Sequence, residues 1–234
     1  MPFTLAHPMA ILPFPRNRYF HFPALVLGSM SPDFIYFLSG KTTAGGHRLF
    51  ASEWLNLPLC LLLFGIYYLL SRTIKDYSPS FITSQVPQRY FQQPLIWLVV
   101  FFYSAWLGMA SHILLDNFTH RTGYFVMQYP FLKEMCFSLP LYKWLQYSGG
   151  VLGLLLIFFY QWRTAKKYPY HSPKTAQQKR LFWFIQLSLT LFGMVIWHHL
   201  SAIAFDEYPT LVIRFIDCWL ISLCLLCGAI KTFK

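Results

Sequence analysis

The chain has 234 residues, 56% of them hydrophobic and only 12% charged, with a mean hydropathy of +0.43. That is more apolar surface than a soluble core of this length needs, so the composition excludes an ordinary soluble domain and predicts a membrane protein. The net charge of +11 does not predict nucleic-acid binding, because the basic residues fall between apolar runs and not on one face of a soluble module.

The first fifteen residues contain no Lys or Arg, so the charged start of a secretory signal is missing and the N-terminal segment is expected to be retained. The stretch 22–38 is weakly apolar and is interrupted by Gly28-Ser29-Met30-Ser31-Pro32-Asp33. Broken helices at membrane depth occur where backbone lines a cavity or is buried in protein. A full crossing by 22–38 would start His7 on the cytoplasmic side. A re-entrant hairpin, with 6–15 descending and 22–33 returning, would bring His7 and Asp33 together and leave Arg16 and Arg18 needing an exit to water.

Five stronger apolar runs follow, at 54–70, 95–115, 147–162, 181–205 and 211–230, of which the third is short for an untilted span. The expected fold is all-α: a polytopic membrane helical bundle of five to six transmembrane helices with an interrupted N-terminal helical hairpin, forming one integral membrane domain over 1–234. Counted on alternating sides, thirteen Lys and Arg fall on one side and five on the other, with Arg214 inside a span. The excess marks the cytoplasmic face, which puts both termini there. The loop 163–180, with six basic residues and no acid, serves as a topology signal and suits anionic lipid headgroups.

The most informative residues close the 95–115 run. His112, Asp116 and His120 are spaced four apart, which advances about 40° per step and puts all three on one helical stripe. Ionisable groups at membrane depth are costly and mark functional sites. His112 and Asp116 can share one ion, but His112 and His120 stand about 12 Å apart along a helix axis. Either the helix ends before His120 or two ions are present. On the predicted topology His47, Glu53, His198, His199, Arg214 and Asp217 approach the same outer level. Imidazole and carboxylate together suit a divalent ion, zinc or similar, which activates water for hydrolysis.

Each residue has a plainer account. His112 and Asp116 could be a helix-to-helix hydrogen-bonding pair, Asp33 a helix cap, His7-Pro8 a turn, His47 a solvated loop residue, and Arg214 with Asp217 a self-neutralising pair. Cys224 and Cys227 spell C-x-x-C inside Leu-rich sequence, without a second pair, and read as packing. No Walker-type loop, dinucleotide fingerprint or serine elbow occurs, which argues against ATP use and serine hydrolysis.

The opening Met1-Pro2-Phe3-Thr4-Leu5-Ala6-His7-Pro8, then Gly28-Ser29-Met30-Ser31-Pro32-Asp33-Phe34, then Ser111-His112 with Asp116-Asn117-Phe118-Thr119-His120 resemble the bacterial domain-of-unknown-function 4184 family over nearly the whole chain. More distantly, His7, Pro32-Asp33, His47-Arg48 and Ser111-His112 with Asp116 are similar in order to the membrane-bound metal-dependent hydrolases associated with the LexA regulon. Two positions depart from that pattern: Ile35 replaces a second carboxylate, and Phe50-Ala51-Ser52 offers no second His, a gap that His120 or Glu53 could fill. The resemblance implies a multi-pass protein of the bacterial inner membrane with a metal site formed by His7, Asp33, His47, His112, Asp116 and His120, holding one or two divalent ions.

Two functions compete on this reading. One is a metal-dependent hydrolase acting on an amphiphilic, lipid-like ester or phosphodiester, with Asp33 and Asp116 in catalysis and Arg214 steadying developing charge. The other is a non-catalytic membrane protein, a transporter or assembly factor, that uses the His and Asp cluster as an ion or proton path.

Overall fold

A computed structural model describes residues 4–42, 53–204 and 207–232. The protein is all-α. Among the described residues its helices are α1 (Phe22–Gly28), α2 (Phe34–Ser39), α3 (Glu53–Tyr77), α4 (Pro94–Thr119), α5 (Tyr124–Gln128), α6 (Leu141–Lys167), α7 (Ala176–Leu200) and α8 (Tyr208–Thr232). Three 3-10 segments, Thr4–Ile11, Ser31–Asp33 and Pro130–Lys133, and a small hairpin of β1 (Met135–Cys136) with β2 (Leu139–Pro140) accompany them.

Four stretches, Trp54–Tyr77, Pro94–Gln128, Ala176–Leu200 and Tyr208–Thr232, are long and apolar enough to cross a membrane. They correspond to four of the five strong runs in the sequence. The fifth, 147–162, is also helical, within α6, but Tyr147, Ser148 and a pair of glycines dilute its apolar character. The weak run 22–38 is divided, as its Gly, Ser and Pro predict: α1 ends at Gly28, a 3-10 turn carries Pro32, and α2 begins at Phe34.

The chain forms two compact units. The first comprises Met1–Asp33, Gly46–Phe64 and Val86–Arg163; the second comprises Phe34–Gly45, Gly65–Gln85 and Thr164–Lys234.

In the first unit α1 lies against α4. A Cβ on Gly28 would run into the Ala105 carbonyl, and one on Gly108 into the Leu25 carbonyl and the Ser29 amide. Two backbones approach this closely only where side chains are missing, and in lipid such small-residue crossings replace the hydrophobic drive that holds soluble helices together. The start of the chain packs onto this pair through Ile11, Phe22 and Leu25, with Leu107 and Tyr160 alongside. Arg16 is accommodated within the unit: its guanidinium lies 4.0 Å over the Phe22 ring and its Nε donates to the Tyr160 hydroxyl at 2.8 Å.

His21 fixes the start of α1. Its Nδ1 accepts from the Ala24 amide at 3.2 Å, satisfying one of the orphan donors of a helix N-terminus, while its own amide donates to Ser104 Oγ on α4. The ring is fully buried among Phe64, Tyr90, Trp97 and Phe101. Burial pushes its pKa down from 6.5 to about 4. The unfolded chain therefore takes up a proton at higher pH than the folded one, so His21 contributes stability above pH 6.5 that is lost as pH falls through 6.5 toward 4. The full loss is about 3 kcal/mol for one such group. His21→Phe should lower stability at pH 7.5 by about 1 kcal/mol through the lost cap and should flatten the dependence of thermal unfolding on pH between 6.5 and 4. An unchanged slope in the variant would assign the acid sensitivity to other groups.

The second unit is organised by α7 and α8. Gln186 Nε2 donates to the Trp219 carbonyl at 2.9 Å and to Ser222 Oγ at 2.8 Å, and Thr190 Oγ1 lies 3.0 Å from Ser222 Oγ, a buried polar clasp of the kind that joins membrane helices. Asp76 at the end of α3 holds the segment after α6, accepting from the Tyr170 hydroxyl at 2.6 Å, and its carbonyl accepts from Ser172 Oγ.

Candidate metal centre

His7 is delivered by the 3-10 helix Thr4–Ile11. With three residues per turn, positions i and i+3 eclipse, so Thr4 and His7 share an edge, and both are buried. Thr4 Oγ1 donates to Asp33 Oδ2 at 2.5 Å. Asp33, only 2% exposed, ends the turn after Pro32, and its Oδ1 lies 3.8 Å from His112 Nε2.

His112 and Asp116 stand one turn apart on α4, with His112 Nε2 3.3 Å from Asp116 Oδ2. The other ring nitrogen of His112 sits 2.7 Å from the carbonyl of Ser29, the residue that caps α1. A carbonyl only accepts, so Nδ1 carries a proton, and Nε2 is the nitrogen turned toward the carboxylates. The close crossing at Gly28 and Gly108 thus sets which nitrogen of His112 faces the carboxylates.

The His7 ring stacks on His112, centroids 3.6 Å apart and planes 14° from parallel, and its Nε2 is 3.7 Å from Asp116 Oδ1. Among the described residues neither ring nitrogen of His7 has a hydrogen-bond partner, although the residue is 3% exposed. Leaving such a group buried costs about 1–3 kcal/mol, and an orphan of this kind calls for a physical reason. Burial, and then the neighbouring His112, push the His7 pKa down to about 3, against smaller upward pulls from Asp116 and Asp33. The ring is neutral at pH 7, the form that donates a lone pair to a cation.

The helix ends early, one of the two arrangements the spacing allowed. α4 stops at Thr119, and His120 is extended at φ −112 and ψ 143, its amide still bonded to the Asp116 carbonyl. Freed from the helical stripe, the ring folds back and brings Nδ1 to 3.3 Å from Asp116 Oδ1. Gln146 of α6, 1% exposed, stands beside it: Lys143 Nζ donates to Gln146 Oε1 at 2.7 Å, which leaves Nε2 facing His120 Nε2 at 3.5 Å.

One donor atom each from His7, His112 and Asp116 lie within 4.8 Å of one another. Donors around a tetrahedral zinc at about 2.0–2.1 Å sit about 3.3 Å apart, so these three side chains fit one such ion with modest movement. A cavity of about 280 Å³ adjoins the cluster, its polar lining supplied by His7, Thr119 and Gln146.

Five of the residues singled out in the sequence, His7, Asp33, His112, Asp116 and His120, are therefore brought together. His47 and the side chain of Glu53 lie outside the described residues. Arg214 belongs to the second unit, where its guanidinium donates to the carbonyl and Oγ of Ser201 and lies over the Trp197 ring. No ion pair joins it to Asp217 among the described residues, so the self-neutralising pair expected from their spacing is not formed. His198 and His199 are exposed at the end of α7, and Cys224 and Cys227 are free thiols. Sequence reasoning missed Thr4, Ser29 and Gln146. The Thr4 and His7 spacing fits a 3-10 edge and Gln146 is a polar intruder beside an apolar run, but Ser29 acts through its carbonyl and left no side-chain signal.

No curated protein and no solved structure matches this chain. A family model described as a domain of unknown function matches residues 1–230. Because that match takes in the N-terminal 3-10 helix, the broken α1 region and all of α4, the chain as a whole belongs to the domain-of-unknown-function 4184 family.

Proposed function

We propose that the His7, His112 and Asp116 cluster holds a divalent ion of the zinc type, and that the protein is a multi-pass, inner-membrane hydrolase of amphiphilic esters or phosphodiesters. The observation that carries the reading is the buried His7 ring, neutral and without a hydrogen-bond partner among the described residues, stacked on a second imidazole that gives its Nδ1 proton to the Ser29 carbonyl. Two histidines and a carboxylate leave one position open, and the ion supplies a bound water of pKa near 7 and a Lewis acid for the scissile oxygen. Asp33, tethered by Thr4 and within 3.8 Å of His112 Nε2, would take a proton as general base. His120, less buried than the rest, stands next to Asp116 and Gln146 where it could return a proton to a leaving group. The motif order shared with the LexA-associated membrane hydrolases supports the same chemistry. The excess of Lys and Arg on one side supports cytoplasmic termini.

The test is metal content with activity. Purified protein in detergent should carry about one zinc per chain, and zinc-loaded protein should hydrolyse p-nitrophenyl esters or bis-p-nitrophenyl phosphate in a chelator-sensitive way. His112→Ala should lose both properties while keeping its helical signal and monodispersity. A folded wild-type protein that takes up no divalent ion on titration would overturn the proposal.

A further inference from the structure

The cavity beside the cluster shares His7 with the proposed metal site and Gln146 with His120, so whatever fills it abuts the reacting end. Apart from those two and Thr119, its walls are the apolar surfaces of Ala6, Met9, Leu115, Phe118 and Leu145 with Gly149. Such walls reject a sugar or a peptide backbone, whose polar groups would be left unsatisfied. At about 280 Å³ the space lies at the lower end of ligand pockets, enough for one short chain and not for a two-chain lipid body. Phe118 and Leu145 are both more than a third exposed, and the neighbouring turns of α6 present Val151, Leu152 and Leu155 outward, so the apolar wall continues onto an exposed apolar surface that suits lipid. A chain can enter sideways without crossing water.

We infer that this cavity receives a single acyl or alkyl chain of the substrate and so places its head at His7 and Asp116. The inference rests on the hydrolase reading for the identity of the head, but the chain site is testable without it. The position that decides the matter is Gly149. A Cβ there meets nothing within 4 Å, so a larger side chain projects into open cavity space with no clash to relieve.

The probe is octyl phosphate tipped with a diazirine, photolysed with the protein in lipid nanodiscs and mapped by mass spectrometry. Label is expected on the peptides carrying Met9 and residues 115–118. Gly149→Phe should reduce that label at least tenfold with zinc content and helical signal unchanged, and Gly149→Leu should do so to a smaller degree. Label spread over outer helix surfaces, or label on the cavity peptides indifferent to both Gly149 variants, would overturn the inference and leave the metal reading standing. Cavity labelling in a protein that takes up no zinc would do the reverse, keeping the chain site and removing the hydrolase.

Discussion

Gly108→Leu is expected to dismantle the first unit, with loss of at least about 3 kcal/mol of stability and of zinc uptake together. The first carbon of any side chain at 108 already collides with the Leu25 carbonyl, the Ser29 amide and Gly28, and on the facing helix Gly28 is pressed equally hard against Ala105. These are backbone atoms, which cannot turn aside as a side chain would, so leucine must force α1 and α4 apart. Overpacking of a yielding core costs about 1–3 kcal/mol, and a rigid contact lies above that range. Separation also withdraws the Ser29 carbonyl from His112 Nδ1, releasing the proton to either nitrogen and the ring from its orientation. The comparison is Gly228→Leu in α8, where an added Cβ meets nothing within 4 Å and the change should stay within about 0.5 kcal/mol. Thermal unfolding in detergent and zinc content read both variants. Equal melting temperatures for the two would mean the α1 and α4 crossing does not hold the unit.

The helical spans were legible because period and length suffice for them: four strong runs are helices of membrane length, and Pro32 with its flanking Gly and Ser divides the weak run where it should. The count of crossings was less legible, because 147–162 is preceded by Gln146, whose polarity serves the site, and opens with Tyr147 and Ser148, which weaken the hydropathy signal. Within the site, His112 and Asp116 followed from a spacing of four and helical geometry alone. His120 did not, since its place depends on α4 ending at Thr119, and nothing between Asn117 and Arg121 breaks a helix outright. Gly123, whose lack of a side chain lets the chain reverse against the Asn117 carbonyl, was the available clue. His7 and Asp33 could be joined only by supposing a re-entrant path. Their meeting in the first unit is a long-range fact that local pattern does not contain. The tautomer of His112 was beyond reach, since it is set by a carbonyl 83 residues away.

Asp116→Ala should separate a group that holds the ion from groups that steady it. Its carboxylate lies within 3.7 Å of His7, His112 and His120, so on the proposed reading its loss removes one donor and the element that orients the others. Removing one member of a buried charged cluster is worth about 3–5 kcal/mol, which corresponds to a fall in zinc affinity of roughly 10²- to 10⁴-fold. Thr4→Val keeps the volume of the side chain and removes only the hydroxyl that donates to Asp33. Partners of this kind tune affinity by about 10- to 100-fold, so the variant should bind zinc more weakly than wild type and more tightly than Asp116→Ala, with turnover reduced because Asp33 is no longer held in place. Zinc affinity by competition with a chromogenic chelator gives the order. If Thr4→Val lost as much as Asp116→Ala, Asp33 would be a principal ligand and the roles of the two carboxylates would exchange. If Asp116→Ala bound zinc as wild type does, the ion would have to sit elsewhere, and the unsatisfied His7 ring would need another explanation.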